Sequence, residues 1–380
     1  MMRIAFILLS FVGCVDLGVA KSQSSVETAA KQAILIDYNT GEVLFNKNGD
    51  ELMVPSSMTK IMTVYILMQK LADKKLKLSD EFIVSEKAWR LQGSKMFVDL
   101  GSNVRLEDLL RGIIVQSGND ACVVVAEGTS GSEEAFARHM TKVARQLGAT
   151  HTTFLNASGW PEDGHRTTAR DLALIAMATI RDFPQYYNMY SELEFTYNGI
   201  RQGNRNVLLG MRGGVKIDGL KTGHTEDGGY GIVLSGVQNG RRLILVCNGY
   251  RSMAERAKDA GLLMAWAFRE TGLVRVFPAG HVIAKTGVWH GQKNEVELTT
   301  PKAVEFVLSR RDTPDLKVRV VHPNWIVAPV KAGQVVGKVI VQVPGEETVR
   351  EFPFVVKTDV ERAGFFGRFI STLGYMVMGR

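Results

Sequence analysis

The apolar positions fall into three regimes along the chain. From residue 32 to about 275, helix-period runs alternate with strand-like stretches; over 276–357 short apolar segments follow closely; over 358–380 the apolar residues gather on one helical side. In the first regime, QAILIDYNTGEVLFNK predicts a β-hairpin that turns at Asn39, Thr40 and Gly41. After Pro55 the run containing Ile61, Met62, Tyr65, Ile66 and Leu67 is apolar on nearly every side, which predicts a buried helix with Ser56 as its N-cap. EFIVS reads as a strand, and LEDLLRGIIVQSGNDACVVVAEG as two helices meeting at 116–119, where Gly118 permits a tight bend. An amphipathic helix over 133–147, the long loop HTTFLNASGWPEDGHRTTARD and a helix over DLALIAMATIRDF follow. The stretch 194–206 is turn-rich, and KIDGLKTGHTEDGGYGIVLSGVQNGRRLILVCNGY predicts a pair of strands joined at Asn239 and Gly240, with 221–224 on the arm before them.

In the second regime HVIAKTGVW, EVELTT, AVEFVLS, LKVRVVH, WIVAPV, QVVGKVIVQV and REFPFVVK are separated by Gly and Pro, which predicts a small all-β domain at 276–357. The terminal stretch, 358–380, places Phe366, Phe369, Ile370, Leu373 and Val377 near one face, with Arg362, Arg368 and Arg380 as cations. It is too short and too interrupted to span a bilayer, so it reads as an amphipathic anchor lying in the membrane plane; the alternative is a helix packed on the β-domain. At the other end, Arg3 precedes the apolar IAFILLSFVG and the small residues Gly18, Val19 and Ala20, the pattern of an export signal over 1–20.

Composition narrows the class. With 380 residues, 45% hydrophobic and 22% charged, the chain has room for about two folded domains and is neither disordered nor collagen-like. The net charge of +7 favours an anionic setting, whether nucleic acid, anionic lipid or a polyanionic wall polymer, and does not choose between them. The basic run KLADKKLKL reads as a solvated helix end, with none of the interleaved aromatic residues that would suit nucleic acid. FVGC, ending at Cys14, is loosely similar to a lipoprotein cleavage box, although Phe11 stands where Leu is usual. Cleavage after Ala20 removes Cys14 and leaves Cys122 and Cys247, in helix-like and strand-like runs, as two buried free thiols.

The chemistry concentrates at VPSSMTKIMT. Ser57 and Lys60 stand three apart, so they share a helix face. A serine hydroxyl needs a base, and an ordinary lysine is none at neutral pH; lowering it from about 10.4 to roughly 7 or 8 takes on the order of 3.5 to 4.6 kcal/mol. Burial supplies part, and a second nearby cation is expected to supply the remainder. By composition Ser-x-x-Lys occurs about once in a chain this long, as does Ser-x-Asn, which recurs as Ser117, Gly118, Asn119 on the bend; Lys221, Thr222, Gly223 is rarer, on the order of a tenth. Lys221 is the candidate second cation.

SMTK at 57–60, SGN at 117–119 and KTG at 221–223 stand in the order of three motifs shared by β-lactamases and penicillin-binding proteins. The wider segments PSSMTK, IIVQSGNDA and DGLKTGHT closely resemble serine-type D-alanyl-D-alanine carboxypeptidases, the low-molecular-mass penicillin-binding proteins. The resemblance covers nearly the whole chain. It implies an α/β (α+β) catalytic domain over 21–275, an antiparallel sheet flanked by helices, followed by the small all-β domain. It further implies that Ser57 attacks the carbonyl between two terminal D-alanines of a peptidoglycan stem peptide while Lys60 takes its proton. Ser117 would pass a proton to the departing amine, Asn119 would orient Lys60 and the substrate amide, and Lys221 would keep the site cationic. Backbone donors of Ser57 and His224 would form the oxyanion hole, with Thr222 and Arg205 at the terminal carboxylate and Gly223 letting the substrate backbone approach. No metal or cofactor is called for. β-Lactams should acylate Ser57, and the expected location is the periplasmic face of a bacterial membrane. A β-lactamase, a cross-link-cleaving endopeptidase and a non-catalytic wall-binding scaffold are the rivals. The first would need a Glu-activated water, and the long loop offers Glu162 and Asp163 without the Glu-x-x-x-Asn arrangement.

Overall fold

The structure, a computed structural model, describes residues 5–6, 26–210, 213–309, 316–343 and 348–368. Two units separate, Ser24–Arg269 and Glu270–Arg380, the latter grouped with Met1–Gln23.

In the first unit β1 (Gln32–Asp37) and β2 (Val43–Lys47) form the expected hairpin. Three further strands, β3 (Lys216–Thr225), β4 (Gly229–Gln238) and β5 (Arg241–Tyr250), stand where a pair was expected, because Lys221 and its neighbours lie on a full strand of their own. The sheet order is β2-β1-β5-β4-β3, antiparallel throughout, which leaves β3 at an edge. Leu35 pairs with Leu245, and Lys221 with Val233.

The central strands are apolar on both faces because both are covered. Ala33, Leu35, Leu234, Leu243 and Leu245 pack with Ala260, Leu263, Met264, Ala267 and Phe268 of a helix over Met253–Glu270. Ile34, Ile36, Val233, Ile244 and Val246 face the larger core. That core holds α1 (Lys60–Ala72), α2 (Leu106–Ile114), α3 (Asn119–Ser130), α4 (Glu133–Gln146) and α5 (Ala169–Asp182). From Ile61 to Met68 every residue of α1 is buried, as its all-round apolar pattern requires. The Met253–Glu270 helix, α6, is absent from the elements read above, although its apolar stripe at helical spacing carries the signal. The turn-rich stretch 194–206 contains a short hairpin, Glu194–Tyr197 with Ile200–Gly203.

The second unit is all-β, as expected. Lys317–Val321, Val335–Gln342, Val349–Val356, Glu295–Thr299, Val282–Trp289 and Trp325–Val327 are successive neighbours in one sheet, and Thr271–Phe277 pairs with Val304–Ser309. Val288, Leu298, Phe306, Val339, Phe354 and Val360 lie in its own core. Helix resumes over residues 365–368, where Phe365 and Phe366 are exposed. The remainder of the anchor, with Phe369, Ile370, Leu373, Val377 and Arg380, lies outside the described residues, as do Cys14 and all of the 1–20 signal except Ala5 and Phe6. Cys122 and Cys247 are free and buried. Among the described residues no helix is long and apolar enough to cross a membrane.

Candidate active site

Ser57 lies on a tight 3-10 turn, Ser56–Thr59, and α1 begins only at Lys60. This corrects the expected N-cap. Capping needs an extended backbone, whereas Ser56 has φ of 48° and makes no cap; its hydroxyl lies 2.8 Å from Thr225 Oγ1 instead. The turn is squeezed on two sides. A Cβ on Gly159 would stand 1.8 Å from the Ser56 carbonyl oxygen, and one on Gly223 3.1 Å from Pro55 O and Ser56 Cβ. Both glycines therefore allow neighbouring backbone to close on the turn.

Within this closure Lys60 is fully buried while Ser57 is partly exposed. Lys60 Nζ donates to Ser57 Oγ at 2.8 Å, Asn119 Oδ1 at 2.8 Å and the Ser158 carbonyl at 2.6 Å. Asn119 Oδ1 and Ser158 O can only accept. They take two amine hydrogens, so the third position of the nitrogen, a lone pair once the amine is neutral, faces the Ser57 hydroxyl. Burial pushes Lys60 down to about 8, against the carboxylates of Asp120 and Glu133.

Lys221, also buried, donates to Ser117 Oγ at 2.9 Å and to the Thr222 carbonyl at 3.1 Å. Its pKa is lowered well below the ordinary value, first by burial and then by the charge of Lys60, with Arg256 and Arg205 adding to it. Lys221 therefore converges on the site as expected. Burial is the first cause that lowers both amines, and repulsion between the two disfavours charging both at once.

The bend at 116–119 is held from outside. Ser117 takes a φ of 61°, Asn119 N donates to Ser94 O at 2.7 Å, and Asn119 Nδ2 donates to Gln92 O at 2.9 Å, which fixes its amide with Oδ1 toward Lys60. Asp120 accepts from Met96 N and Phe97 N, both at 2.9 Å, and ties the 94–98 segment to the start of α3. On β3, Thr222 and Gly223 are buried beside the turn, whereas His224 is exposed and stacks on Tyr230 with 3.9 Å between ring centroids. Arg205 is exposed and its guanidinium reaches Gln202 Oε1 at 3.4 Å. Ser57, Lys60, Asn119, Ser117 and Lys221 are thus gathered into one cluster, buried except for the partly exposed Ser57, while His224 and Arg205 are exposed.

Three contributors have no counterpart among the residues singled out from the sequence. Ser158 acts through its backbone carbonyl, which no side-chain motif announces. Asp120 reads only as a residue after Asn119. Arg256 comes from α6; it is buried, donates to Gly231 O at 3.5 Å and Arg205 O at 3.4 Å, and lies 5.9 Å from the Tyr230 ring.

Comparison with known proteins places this geometry. Residues 19–251 match the family model described as D-alanyl-D-alanine carboxypeptidase, and residues 272–362 match that of the penicillin-binding protein 5 C-terminal domain. The chain is 40% identical over 347 residues to D-alanyl-D-alanine carboxypeptidase DacC of Escherichia coli, covering 89% of this chain and 86% of that protein. It is 38% identical over 354 residues to DacA of the same organism, covering 91% and 87%. The crystal structure of penicillin binding protein 5 from Haemophilus influenzae superposes with a TM-score of 0.83 at 35% identity, covering 91% of this chain and all of that one. With a match of this extent, embracing all three motifs, the chain belongs to the D-alanyl-D-alanine carboxypeptidase family.

Proposed function

We propose that the chain removes the terminal D-Ala from peptidoglycan pentapeptide stems through a serine acyl-enzyme. The observation that carries the reading is the Lys60 amine, buried, lowered to about 8 and 2.8 Å from the one partly exposed hydroxyl of its cluster. At pH 7 about a tenth of such amines are neutral, enough for a general base whose driving force stays high.

Ser57 Oγ attacks the carbonyl between the two D-alanines and its proton passes to Lys60. The oxyanion is met by the backbone N–H groups of Ser57 and His224. As the C–N bond breaks, the leaving nitrogen takes a proton through Ser117, whose hydroxyl is held by Lys221. Thr222 and Arg205 receive the terminal carboxylate, Gly223 lets the substrate backbone approach, and Asn119 Oδ1 holds Lys60 in place while its Nδ2 is tied back to Gln92 O. Water then attacks the ester carbonyl while Lys60 takes its proton, the C–Oγ bond breaks as Lys60 returns that proton to Ser57 Oγ, and the shortened stem leaves. A β-lactam enters by the same first step and stays as the acyl-enzyme.

The export pattern at 1–20 and the amphipathic pattern at 358–380 support action at the periplasmic face of a membrane; the exposed Phe365 and Phe366 suit the start of such an anchor. Within the long loop, exposed Glu162 accepts from Asn156 Nδ2 at 3.1 Å, a local role that gives no support to the β-lactamase alternative.

Free D-alanine release from a pentapeptide, followed beside turnover of a fluorescent β-lactam, tests the reading. D-Alanine release with slow β-lactam turnover and covalent label lost in Ser57→Ala is the expected result. Fast β-lactam hydrolysis without D-alanine release would favour the β-lactamase, and no label in the wild type the scaffold.

A further inference from the structure

The proposed oxyanion donors sit on two separate pieces of chain, one on the turn at 56–59 and one near the end of β3. Catalysis needs their spacing fixed to within a few tenths of an ångström, since donors act at about 2.7–3.1 Å from the developing charge. One side-chain hydrogen bond joins the two pieces, and its partners are the immediate neighbours of the donors. Ser56 precedes Ser57, Thr225 follows His224, and their hydroxyl oxygens lie 2.8 Å apart.

We infer that the Ser56–Thr225 hydroxyl pair is a positioning clamp that sets the separation of the Ser57 and His224 backbone donors. The inference rests on the acyl-enzyme reading given above and concerns two residues outside the three motifs' catalytic positions.

The local packing argues that the hydroxyl of Ser56 is there for a purpose beyond shaping the turn. At φ of 48° the backbone of Ser56 is in the left-handed region, where glycine is easier to accommodate than serine. A serine held there keeps a conformation it disfavours and offers in return only its side chain. That side chain is almost wholly enclosed, with 1% of Ser56 exposed. Thr225 Oγ1 is fixed from the other direction by accepting the Gly228 N–H at 3.1 Å. A Cβ on Gly228 would stand 3.0 Å from Ser56 Oγ and 2.8 Å from Thr225 Oγ1, so the chain passes directly over the pair. The clamp is thus gripped by β3, by the turn into β4 and by the nucleophile turn at once.

Four variants of the full chain test this: Ser56→Gly, Ser56→Ala, Thr225→Val and the double variant Ser56→Gly with Thr225→Val. Three quantities are measured, namely the acylation rate with a β-lactam, the ester carbonyl stretch of the acyl-enzyme by infrared difference spectroscopy, and the melting temperature. The clamp requires each single variant to acylate about 10-fold more slowly or worse, in line with partial loss of an oxyanion donor. The ester band should move to higher wavenumber and broaden as its hydrogen bonds loosen, and the double variant should be no slower than the slower single. Ser56→Gly is decisive, because it eases the backbone while removing the hydroxyl. If Ser56→Gly keeps the wild-type rate and carbonyl band, the clamp is overturned, even when Ser56→Ala or Thr225→Val folds poorly. A wild-type chain that takes no β-lactam would overturn the acyl-enzyme reading and the clamp together, whereas labelled wild type with unaltered Ser56→Gly removes the clamp alone.

Discussion

Asn119 and Lys60, 59 positions apart in sequence, meet at 2.8 Å through Oδ1 and Nζ, and the same amide is turned by its Nδ2 bond to Gln92 O. A neutral acceptor there leaves Lys60 free to lose its proton. Asn119→Asp would place an anion on the amine and favour its charged form. The acid limb of the acylation rate, set near 8 by Lys60, should rise by about one unit or more, with a loss at neutral pH of about 10-fold. A pH profile of acylation in wild type and variant checks the direction; an unmoved limb would exclude Lys60 as the titrating base.

Burial of Lys60 also has a stability signature. Its folded value of about 8 lies below the ordinary lysine value of 10.5, so the unfolded chain binds this proton more readily between those two pH values. Stability from this group therefore rises from pH 8 to pH 10.5, and the full cost of burying the charge is present below 8. In Lys60→Met that dependence is gone. The stability of the variant relative to wild type should thus fall by about 3 kcal/mol between pH 7.5 and 10.5, whatever constant cost the unpaired acceptors add. Denaturant unfolding at both pH values measures the difference, and β-lactam labelling should be lost at each.

Gly159 has φ of 79°, and a Cβ there would collide with backbone, not with a movable side chain. Gly159→Ala must displace either the turn carrying Ser57 or the loop carrying Ser158 O. It should cost roughly 2 kcal/mol or more and slow acylation in parallel. Thermal unfolding with labelling kinetics tests this, and an unaffected rate at lowered stability would show that the loop yields without disturbing Lys60.

How far the sequence revealed this site follows from what each part uses for its chemistry. Ser57, Lys60, Ser117, Asn119 and Lys221 are legible because the roles proposed for them belong to side chains, and the first four also stand where one element gives way to another, whereas Lys221 lies within β3. The Ser158 carbonyl is not, since every residue offers one and only the fold selects which. Ser56 was misread for a related reason: serine at a helix start ordinarily caps, and the pressure of β3 and Gly159 that turns it to a left-handed backbone comes from segments distant in sequence. β1 is apolar on both faces because both are covered, and the cover on one side is α6, whose charged first turns obscure its apolar stripe in the sequence.

The chain end offers a test of the proposed anchor. Val360 is buried in the core of the second unit and pairs with Val330, and Lys331 bonds Asp359 and Glu361, so residues 358–363 serve the β-domain. Deleting 364–380 should release the protein from membranes while D-alanine release and the melting temperature stay within error of wild type. Deleting from 358 should also lower the melting temperature, because it removes a core side chain. Continued pelleting of the shorter deletion with vesicles would place the membrane contact elsewhere.

The enclosure of Lys60 beside an accessible Ser57 has a practical consequence for chemical probes. Amine-directed labels such as activated esters should decorate the many surface lysines and spare this one, so a heavily modified preparation can still take a serine-directed warhead. Resistance of activity to such treatment would be a property of architecture, since the amine proposed as the base is enclosed and shielded from bulk reagents.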